Sequence, residues 1–487
     1  MYLGIDLGTS SVKMVIFDEQ HEIIAQDSQP LTVSQPHPLW SEQNPEDWWQ
    51  ATSKGVSAIK QKVGKKFADL KAIGLSGQQH GATLIDRKGQ VLRPAMLWND
   101  GRAMEQCHTL ANKIPTHMLI TGNSIMPGFT APKVLWVKEN EAEAFAKTHK
   151  VLLPKDYLRL RLTGEYATDL SDASGTGWLD VQNRRWSDDM LSGNDFTQKN
   201  MPELFEGSQI TATVSKAIAE EWGISHHTVV AAGGGDNPAG AISVNVIKPG
   251  SAFLSLGTSG VYFVASNEYH ANPKDGVHTF CHCLPQQWHH MSVHLSSASS
   301  LSWLANSLNA NVGELLHEAE HGAHHKTQLI FLPYLSGERT PHINPYAKGV
   351  FFGMTTNTSR ADLVRAVLEG VAFSFADGQS AMTDAGVKIN DVAVVGGGSQ
   401  SLYWGKILAS TLQRPLTYRR NREVGSALGA ARLAWLATNP CDPQTAFTSP
   451  AIECIVEPDS ALQNQYVQKR ETYRELYRRL SDMFITL

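Results

Sequence analysis

The N-terminal residues alternate between apolar and polar side chains in two short stretches, which predicts two β-strands. The first stretch is YLGID (residues 2–6), and the second is VKMVIFD (residues 12–18). Alternation with a period of two, rich in β-branched residues, is typical of strands that bury one face. The intervening GTSS contains the small residues of a tight turn. The pattern therefore predicts a strand, a turn and a second strand.

This order of elements disfavours two common nucleotide-binding turns. The dinucleotide-binding turn and the P-loop both lead from a strand into a helix, and their motifs are G-x-G-x-x-G and G-x-x-x-x-G-K-S/T. Neither motif occurs in this sequence. A nucleotide, if it binds here, must be held by another arrangement.

A hairpin turn of this composition can bind an anion. Gly8 allows a tight bend, the backbone amides of the turn can converge on phosphate oxygens, and the hydroxyl groups of Thr9 and Ser10 add donors. Asp6 would repel phosphate unless a divalent cation lay between them, which is a usual arrangement for Mg²⁺. We therefore predict a phosphate-binding turn with magnesium at Asp6, and with Lys13 screening the phosphates. A plain hairpin without a ligand is the alternative.

A near copy of this hairpin, LSLGTSGVYF, occurs in the second half of the chain. Gly257, Thr258 and Ser259 occupy the turn between two alternating apolar stretches, SAFLSL and VYFVAS. Ser255 stands where the first copy has Asp6, so only the first turn offers a carboxylate to a metal ion. The repetition predicts two related halves, each with one phosphate-binding hairpin.

A second pair of segments also looks duplicated: VVAAGGGDN (229–237) and VAVVGGGSQ (392–400). Both are apolar runs that end in three glycines, which predicts a buried strand leading into a turn that a ligand can approach closely. Only the first copy carries a carboxylate, Asp236. On a glycine turn this side chain could approach a hydroxyl group, although a helix N-cap is the alternative interpretation.

Length and charge narrow the class of protein. At 487 residues the chain favours two domains, and we place the boundary just before the second hairpin, near residue 245. The net charge is −5 and charges of both signs are scattered along the chain, so we do not expect a nucleic acid as partner. No apolar run approaches the roughly 18 residues that cross a bilayer, so we do not expect a membrane as partner either. Five cysteines without a framework and no leader-like N-terminus predict a cytoplasmic protein.

Two long segments resemble the signatures of the FGGY carbohydrate kinases, a family within the actin, chaperone and sugar-kinase superfamily. They are GFTAPKVLWVKEN (128–140) and GVFFGMTTNTSRADLVRAVLE (349–369). The resemblance implies an α/β fold of two actin-like (ribonuclease H-like) domains with ATP in the cleft between them. It also implies that residues 1–245 bind sugar and metal and that residues 246–487 bind the nucleotide, with ATP and Mg²⁺ required.

The resemblance also implies roles for individual residues. Asp236 matches the general base that acts on the sugar hydroxyl, and Asp6 matches the aspartate linked to Mg²⁺ and activity. The expected contacts with sugar, with the phosphates and with the adenosine come from three further sets: Gln79, His80, Trp98, Asp100 and Asn237 for the sugar; Gly8, Thr9, Ser10, Lys13, Gly257, Thr258 and Ser259 for the phosphates; Gly396, Gly397 and Gly398 for the adenosine. For Asp100, which precedes Arg102 in WNDGR, an internal ion pair is an equal alternative.

Four further segments resemble the branch of the family that phosphorylates the terminal hydroxyl of D-xylulose: HPLWSEQNPEDWWQA, LRPAMLWNDGR, LLPKDYLRLRLTGE and FLPYLSGERTPHINPYAKGVFFG. Many bacterial members of that branch have methionine where Gln79 stands, so the exact composition of the pocket wall stays undecided. Gln79 and His80 argue against glycerol, whose kinases carry arginine and glutamate there. D-ribulose, L-ribulose and gluconate remain alternative substrates, and an actin-like or chaperone-like ATPase is the alternative outside the family.

Four other patterns are given structural interpretations. HEAEH (317–321) matches a zinc-protease motif but has the texture of an exposed helix end, and CHCLPQQWHH (281–290) is interpreted as a strand pair. The small residues of VGSALGAARLA (424–434) predict a tightly packed helix near a moving interface. The C-terminal NQYVQKRETYRELYRRLSDMF predicts an amphipathic helix docked on its domain, which could also form a homodimer contact.

Overall fold

The computed structural model describes residues 1–322, 328–420 and 425–486. The first half contains the strands β1 (Tyr2–Leu7), β2 (Ser11–Phe17), β3 (Ile23–Pro30), β4 (Glu42–Gln43), β5 (Ala72–Gly77), β6 (Thr83–Ile85), β7 (Ala95–Met96), β8 (Lys150–Leu152), β9 (Ala167–Asp169), β10 (Leu179–Asp180), β11 (Arg185–Trp186), β12 (Glu203–Phe205), β13 (Ile210–Thr213), β14 (Val229–Ala231) and β15 (Gly234–Gly235). Its helices are α1 (Pro45–Val63), α2 (Met104–Lys113), α3 (His117–Thr121), α4 (Thr130–Asn140), α5 (Ala142–Lys147), α6 (Pro154–Thr163), α7 (Leu170–Ala173), α8 (Asp188–Ser192), α9 (Lys216–Trp222) and α10 (Asp236–Ser243).

The second half contains the strands β16 (Ser251–Leu256), β17 (Gly260–Ser266), β18 (His278–Cys281), β19 (Trp288–His294), β20 (Ile330–Pro333), β21 (Gly349–Phe352), β22 (Asp391–Val395), β23 (Leu416–Arg419) and β24 (Ile452–Val456). Its helices are α11 (Ala298–Ser307), α12 (Val312–His321), α13 (Arg360–Asp384), α14 (Leu402–Leu412), α15 (Ser426–Thr438), α16 (Pro443–Ala446) and α17 (Ser460–Leu480).

The two halves are built on sheets of the same topology. The first sheet has the order β3-β2-β1-β5-β14-β13, and the second contains the run β19-β17-β16-β22-β23-β24. In each run an antiparallel hairpin is followed by two parallel pairings and an antiparallel edge strand. Both predicted hairpins, β1–β2 and β16–β17, occupy equivalent places. The predicted α/β fold and the duplication are confirmed.

The predicted equivalence of the two glycine triplets is wrong. The first triplet follows β14, whereas the second follows β22, and the counterpart of β22 in the first sheet is β5 rather than β14. An apolar run ending in glycines describes any buried strand that leads into a tight turn, so the likeness carries no information about position in the sheet.

Helix α15 belongs to the second half by sequence but packs on the first sheet. A Cβ atom built on Gly4 would lie 1.8 Å from the carbonyl oxygen of Ala427, and one on Gly74 would lie 1.8 Å from that of Ala430. A Cβ on Gly429 would lie 1.7 Å from the carbonyl oxygen of Ala239 in α10. Glycine is therefore required both where α15 meets the sheet and where it meets α10. The tightly packed helix is confirmed, except that Val424 lies outside the described residues.

This crossing bears on the domain division. The turn between α10 and β16 contains the predicted boundary near residue 245, but α15 returns to the first sheet long after it. The division into residues 1–245 and 246–487 stays a prediction. The two sheets are tied together by α15 as well as by the single connection near the boundary.

The C-terminal helix α17 docks on the second half through one face. Tyr466, Tyr473, Leu476 and Tyr477 on this face are buried, and the Tyr473 hydroxyl lies 2.6 Å from that of Tyr334. The predicted docked amphipathic helix is confirmed, while its use in a homodimer stays a prediction. In the ranges that the structure describes, no helix is both long enough and apolar enough to span a membrane.

Gly74→Ala is expected to destabilise the protein by at least about 1–3 kcal/mol, because the new methyl group would overlap the backbone of α15 and force the helix off the sheet. Thermal or urea unfolding measures the change. Gly101→Ala is the matched control, since its Cβ would make an ordinary contact 3.6 Å from Leu39. Equal stability of the two variants would contradict the close packing.

Candidate active site

Asp6 lies near the carboxyl end of β1, where three strands of the first sheet end together. It is opposite Lys13 on β2 and Ser76 on β5, and Ser76 in turn is opposite Gly234 on β15. The Asp6 Oδ1 atom is buried and has no hydrogen-bond partner among the described residues. A buried acceptor without a donor is costly, so this oxygen is suited to a cation.

Asp236 approaches the same edge of the sheet from the neighbouring strand. The strand β15 ends at Gly235, and Asp236 is the first residue of α10. A Cβ on Gly235 would lie 2.6 Å from the Cδ atom of Gln79, so the glycine leaves room for the Gln79 side chain in this position. The Asp236 Oδ1 atom accepts hydrogen bonds from the backbone N–H (2.7 Å) and the side-chain amide (3.0 Å) of Asn237. The N-cap of α10 is Gly235, not Asp236.

The two carboxyl groups repel each other and share a poorly solvated site. Burial raises the pKa of Asp6 to about 7, with a smaller contribution from the charge of the Asp236 carboxylate. Burial raises the pKa of Asp236 to about 6, against the hydrogen bonds from Asn237. A group with a pKa near 6 is largely ionised at neutral pH yet binds a proton readily, as a general base requires. The perturbation of neighbouring acids is also what functional sites commonly display.

The first hairpin turn is fixed by side chains from three other segments. The Thr9 hydroxyl donates to the Gln78 Oε1 atom (3.3 Å) and accepts from the Trp98 indole N–H (3.0 Å). Gln43 donates its side-chain amide to the Thr9 carbonyl oxygen (2.8 Å). Gly8 donates its N–H to the Ser11 carbonyl oxygen (3.0 Å), so this amide serves the turn itself. Ser10 is exposed at the tip.

Gln79 and His80 follow the end of β5, as the sequence predicted. His80 adopts a left-handed backbone with a φ of 68°. Its Nδ1 atom lies 2.7 Å from the Gly175 carbonyl oxygen, so Nδ1 carries the proton and Nε2 is left as an acceptor. Burial lowers the pKa of His80 to about 3, which keeps the ring neutral. The ring stacks on Phe129 at a centroid distance of 4.9 Å.

Trp98 and Asp100 differ sharply in accessibility. The Trp98 ring is 37 % exposed and lies beside the first turn through its bond to Thr9. Asp100 is 1 % exposed, and its oxygens accept from the Arg102 guanidinium (2.6 to 3.1 Å) and from the Ser41 N–H (2.8 Å). The structure therefore contains the internal ion pair that was the alternative for Asp100. A sugar contact would have to compete with these bonds and stays a prediction.

The second hairpin and the second glycine triplet meet at one edge of the second sheet. Val395 on β22 is opposite Ser255 on β16, so Gly396–Gly398 continue beside Gly257–Ser259. Thr258 and Ser259 are exposed, and a Cβ on Gly397 would meet no atom within 4 Å. The Thr258 carbonyl oxygen accepts the Ser299 hydroxyl (2.7 Å) at the start of α11. The predicted nucleotide residues of the second half thus lie together on an open surface.

The structure adds one cation for which the sequence suggested no contact. Arg339 is largely enclosed, and its guanidinium Nη1 lies 3.4 Å from the His278 Nε2 atom. His278 lies 5.9 Å, centroid to centroid, from Phe129, the ring that stacks on His80. Arg339 from the second half therefore approaches the histidine pocket of the first. GERTPH suggested that Arg339 lines the cleft near the nucleotide, but this contact could not be assigned because it depends on how the two sheets face each other.

The histidine-rich segments do not assemble a metal centre in the described residues. His289 and His290 are buried in β19, and His282 lies in the same hairpin, where burial lowers the pKa of His282 and His290 to about 3. In HEAEH, His321 lies on the exposed end of α12 with Nδ1 3.1 Å from the His317 carbonyl oxygen. These positions agree with the structural interpretation of both segments.

Comparison with known proteins assigns this chain to a family. Residues 1–243 match the N-terminal domain of the FGGY family of carbohydrate kinases, and residues 252–438 match its C-terminal domain. The chain therefore belongs to the FGGY family. It is 50% identical to the xylulose kinase of Escherichia coli (strain K12) over 99% of both chains. It is 47% identical to the xylulose kinase of Klebsiella pneumoniae over 99% of this chain and 100% of that protein.

A solved structure agrees with these relationships. The crystal structure of a kinase from Brucella ovis superposes with a TM-score of 0.96 at 44% identity, over 99% of both chains. FGGY kinases transfer a phosphoryl group from ATP to a carbohydrate, and the predicted family, fold class and enzyme class are confirmed. The roles of the individual site residues remain predictions.

Asp6→Asn is expected to stabilise the ligand-free FGGY kinase by roughly 1–4 kcal/mol at pH 8 and by less at pH 5. The folded protein raises the pKa of Asp6 from 3.8 to about 7, so it binds this proton more tightly than the unfolded chain does. Its stability therefore falls as the pH rises from about 4 through about 7, and the asparagine removes this loss.

Urea unfolding at several pH values without added metal measures the effect. The exposed Asp391 at the start of β22 provides the control variant Asp391→Asn, for which no comparable growth with pH is expected. A stability difference for Asp6→Asn that is flat between pH 5 and pH 8 would contradict the electrostatic account.

Proposed function

We propose that the protein phosphorylates the terminal hydroxyl of D-xylulose with ATP and releases D-xylulose 5-phosphate and ADP. The xylulose kinases from two organisms at 47% and 50% identity over nearly the whole chain support this substrate. The observation that carries the mechanism is the placement of Asp6 and Asp236 at one edge of the first sheet, each with a raised pKa.

In this mechanism the sugar lies between Asp236 and the end of β5. The Asp236 carboxylate takes the proton of the terminal hydroxyl as the hydroxyl oxygen attacks the γ-phosphorus, and the bond to the bridging oxygen of ADP breaks. Neutral His80 offers its Nε2 atom as an acceptor to another sugar hydroxyl, and Gln79 offers its amide. In this proposal Trp98, which bonds Thr9, and Asn237, which bonds Asp236, also contact the sugar. Position and electrostatics provide most of the acceleration in such reactions.

The nucleotide contacts come from both halves. Ser10 and Lys13 on the first hairpin, and Thr258 and Ser259 on the second, are exposed donors for phosphate oxygens. The Thr9 hydroxyl would have to exchange its bond to Gln78 for one to a phosphate. The open glycine turn that contains Gly397 leaves room for the adenosine. The chain thus offers polar groups to the triphosphate from two sheets.

Asp6 is the residue that would hold Mg²⁺. Its buried Oδ1 atom lacks a hydrogen-bond donor, and one carboxylate together with substrate phosphates is a common binding mode for this ion. Bound there, Mg²⁺ would neutralise phosphate charge. Its charge would also draw the proton from Asp6 and lower the pKa of that carboxyl group.

Two further proposals concern the setting of the enzyme. All five cysteines lie in described residues and are free thiols, which supports a reducing cytoplasm. The second proposal is a homodimer formed through α17, whose outward face carries charged residues such as Arg478 and Glu475. Sedimentation measures this association. Monomers at all accessible concentrations would remove this second proposal.

D-xylulose is expected to give a higher kcat/KM than D-ribulose, L-ribulose or gluconate when ADP release is measured with each sugar. Binding contacts that match one stereochemistry lower the barrier for that sugar selectively. Equal or better turnover of another sugar would reassign the substrate within the family. ATP hydrolysis that no free sugar affects would instead favour an actin-like or chaperone-like ATPase.

Asp236→Asn is expected to lower kcat at least about 100-fold while ATP still binds, because the amide cannot take the hydroxyl proton. Sugar phosphorylation and nucleotide binding are measured on the same preparation. The variant Asp391→Asn again serves as control, since it changes an exposed carboxylate on the second sheet. Turnover of Asp236→Asn within tenfold of the original enzyme would reject Asp236 as the base.

A further inference from the structure

Five charged side chains form a fully buried cluster behind the Asp236 turn: Lys155, Asp156, Arg159, Asp169 and Asp172, each with no exposed side-chain surface. The Lys155 Nζ atom lies 2.6 Å from Asp156, 2.8 Å from Asp169 and 3.3 Å from Asp172. We call these residues the α6–α7 charge cluster, after the helices that supply most of them. Their sequence pattern indicated no role for them.

The cluster is bonded to the backbone that leads to Asp236. Arg159 donates to the carbonyl oxygens of two successive residues, Ala231 (2.8 Å) and Ala232 (2.5 Å). These residues end β14 and begin the glycine turn, so a rigid planar donor fixes the turn where it leaves the sheet. A lysine at this position could keep the charge but could not reproduce the paired geometry.

A second connection reaches the other end of the turn through Ser171. Asp169 accepts the Ser171 N–H (2.8 Å) and its hydroxyl, and the same hydroxyl oxygen accepts the N–H of Gly235 at 3.1 Å. Gln79 donates its amide to the Ser171 carbonyl oxygen at 3.3 Å. Ser171 therefore holds the residue before Asp236 and a predicted sugar contact at once.

The charges of the cluster balance if one carboxyl group is protonated. Two cations face three carboxyl groups, and burial together with the neighbouring Asp169 and Asp156 raises the pKa of Asp172 well above its usual range. Buried ion networks often contribute no more stability than well-packed apolar residues of the same volume. Stability alone therefore does not explain why charged residues occupy this interior.

We propose that the α6–α7 charge cluster positions the catalytic turn, with Arg159 and Ser171 as positioning residues that aim the Asp236 carboxylate and the Gln79 amide at the sugar. This inference rests on the proposed role of Asp236 as the base. Arg159 fixes the beginning of the turn, Ser171 fixes its end, and Lys155 holds the carboxylate that orients Ser171. None of these residues touches the reacting atoms.

The test compares Arg159→Lys with Arg161→Lys, a control on the same helix whose arginine instead bonds Glu46 and Tyr157 near the surface. Arg159→Lys is expected to lower kcat about 10- to 100-fold with little change in the KM for ATP. The acid limb of its pH–kcat profile should move to lower pH, because a looser turn hydrates Asp236 and burial is what raises its pKa. Arg161→Lys should leave both readouts unchanged.

Ser171→Ala provides a second, smaller change in case Arg159→Lys fails to fold, and Ser171→Thr should restore turnover by returning the hydroxyl. A folded Arg159→Lys or Ser171→Ala enzyme with original kcat and an unmoved acid limb would overturn the proposal. So would a lower melting temperature without a change in the profile, since that outcome marks a merely structural role. If Asp236→Asn is inactive while both variants are normal, only the positioning role fails.

Discussion

The site depends on the burial of two carboxyl groups that one sheet brings to the same edge. Asp6 lies one residue before the end of β1 and Asp236 follows β15, and both strands pair with β5, so the backbone brings the two acids close together. Burial raises the pKa of both acids, and the charge of Asp236 raises the pKa of Asp6 further. A metal ion held by Asp6 would lower the pKa of Asp6 and leave Asp236 as the group that exchanges a proton. In the proposed mechanism, two acids of the same type thereby serve as metal ligand and base.

The surrounding structure packs closely around Asp236 and is open at the second hairpin. Close glycine contacts press α15 against the first sheet and α10, so the segment that begins with Asp236 is held from outside as well as from the α6–α7 charge cluster. The second hairpin, by contrast, presents Thr258 and Ser259 to solvent. A firm acceptor site and an accessible donor site suit an enzyme that must let ATP enter and ADP leave.

Much of this organisation could be predicted from local sequence patterns. Alternation and small turn residues located both hairpins, and the GGGD turn pointed to Asp236, because strand ends and tight turns leave local signals. The position of α15 could not be predicted, since small residues at helical spacing indicate close packing without naming the partner. The likeness of the glycine triplets misled for the same reason.

The charged residues behind the turn were missed on different grounds. Lys155, Asp156 and Arg159 look like the polar face of a helix, and only the folded chain shows that this face is covered. Their role depends on residues far away in sequence, Ala231 and Ala232. For Asp100 the sequence suggested a site role that the structure does not require, because this carboxylate beside a suspected pocket is paired with Arg102 inside the protein.

The most direct test of the account is a crystal structure with D-xylulose, Mg²⁺ and an ATP analogue that cannot transfer its γ-phosphate. The account predicts the metal at Asp6, the terminal sugar hydroxyl at Asp236, and the triphosphate held by the turns around Thr9 and Thr258. A triphosphate bound away from these two turns, or a sugar whose terminal hydroxyl faces away from Asp236, would contradict it.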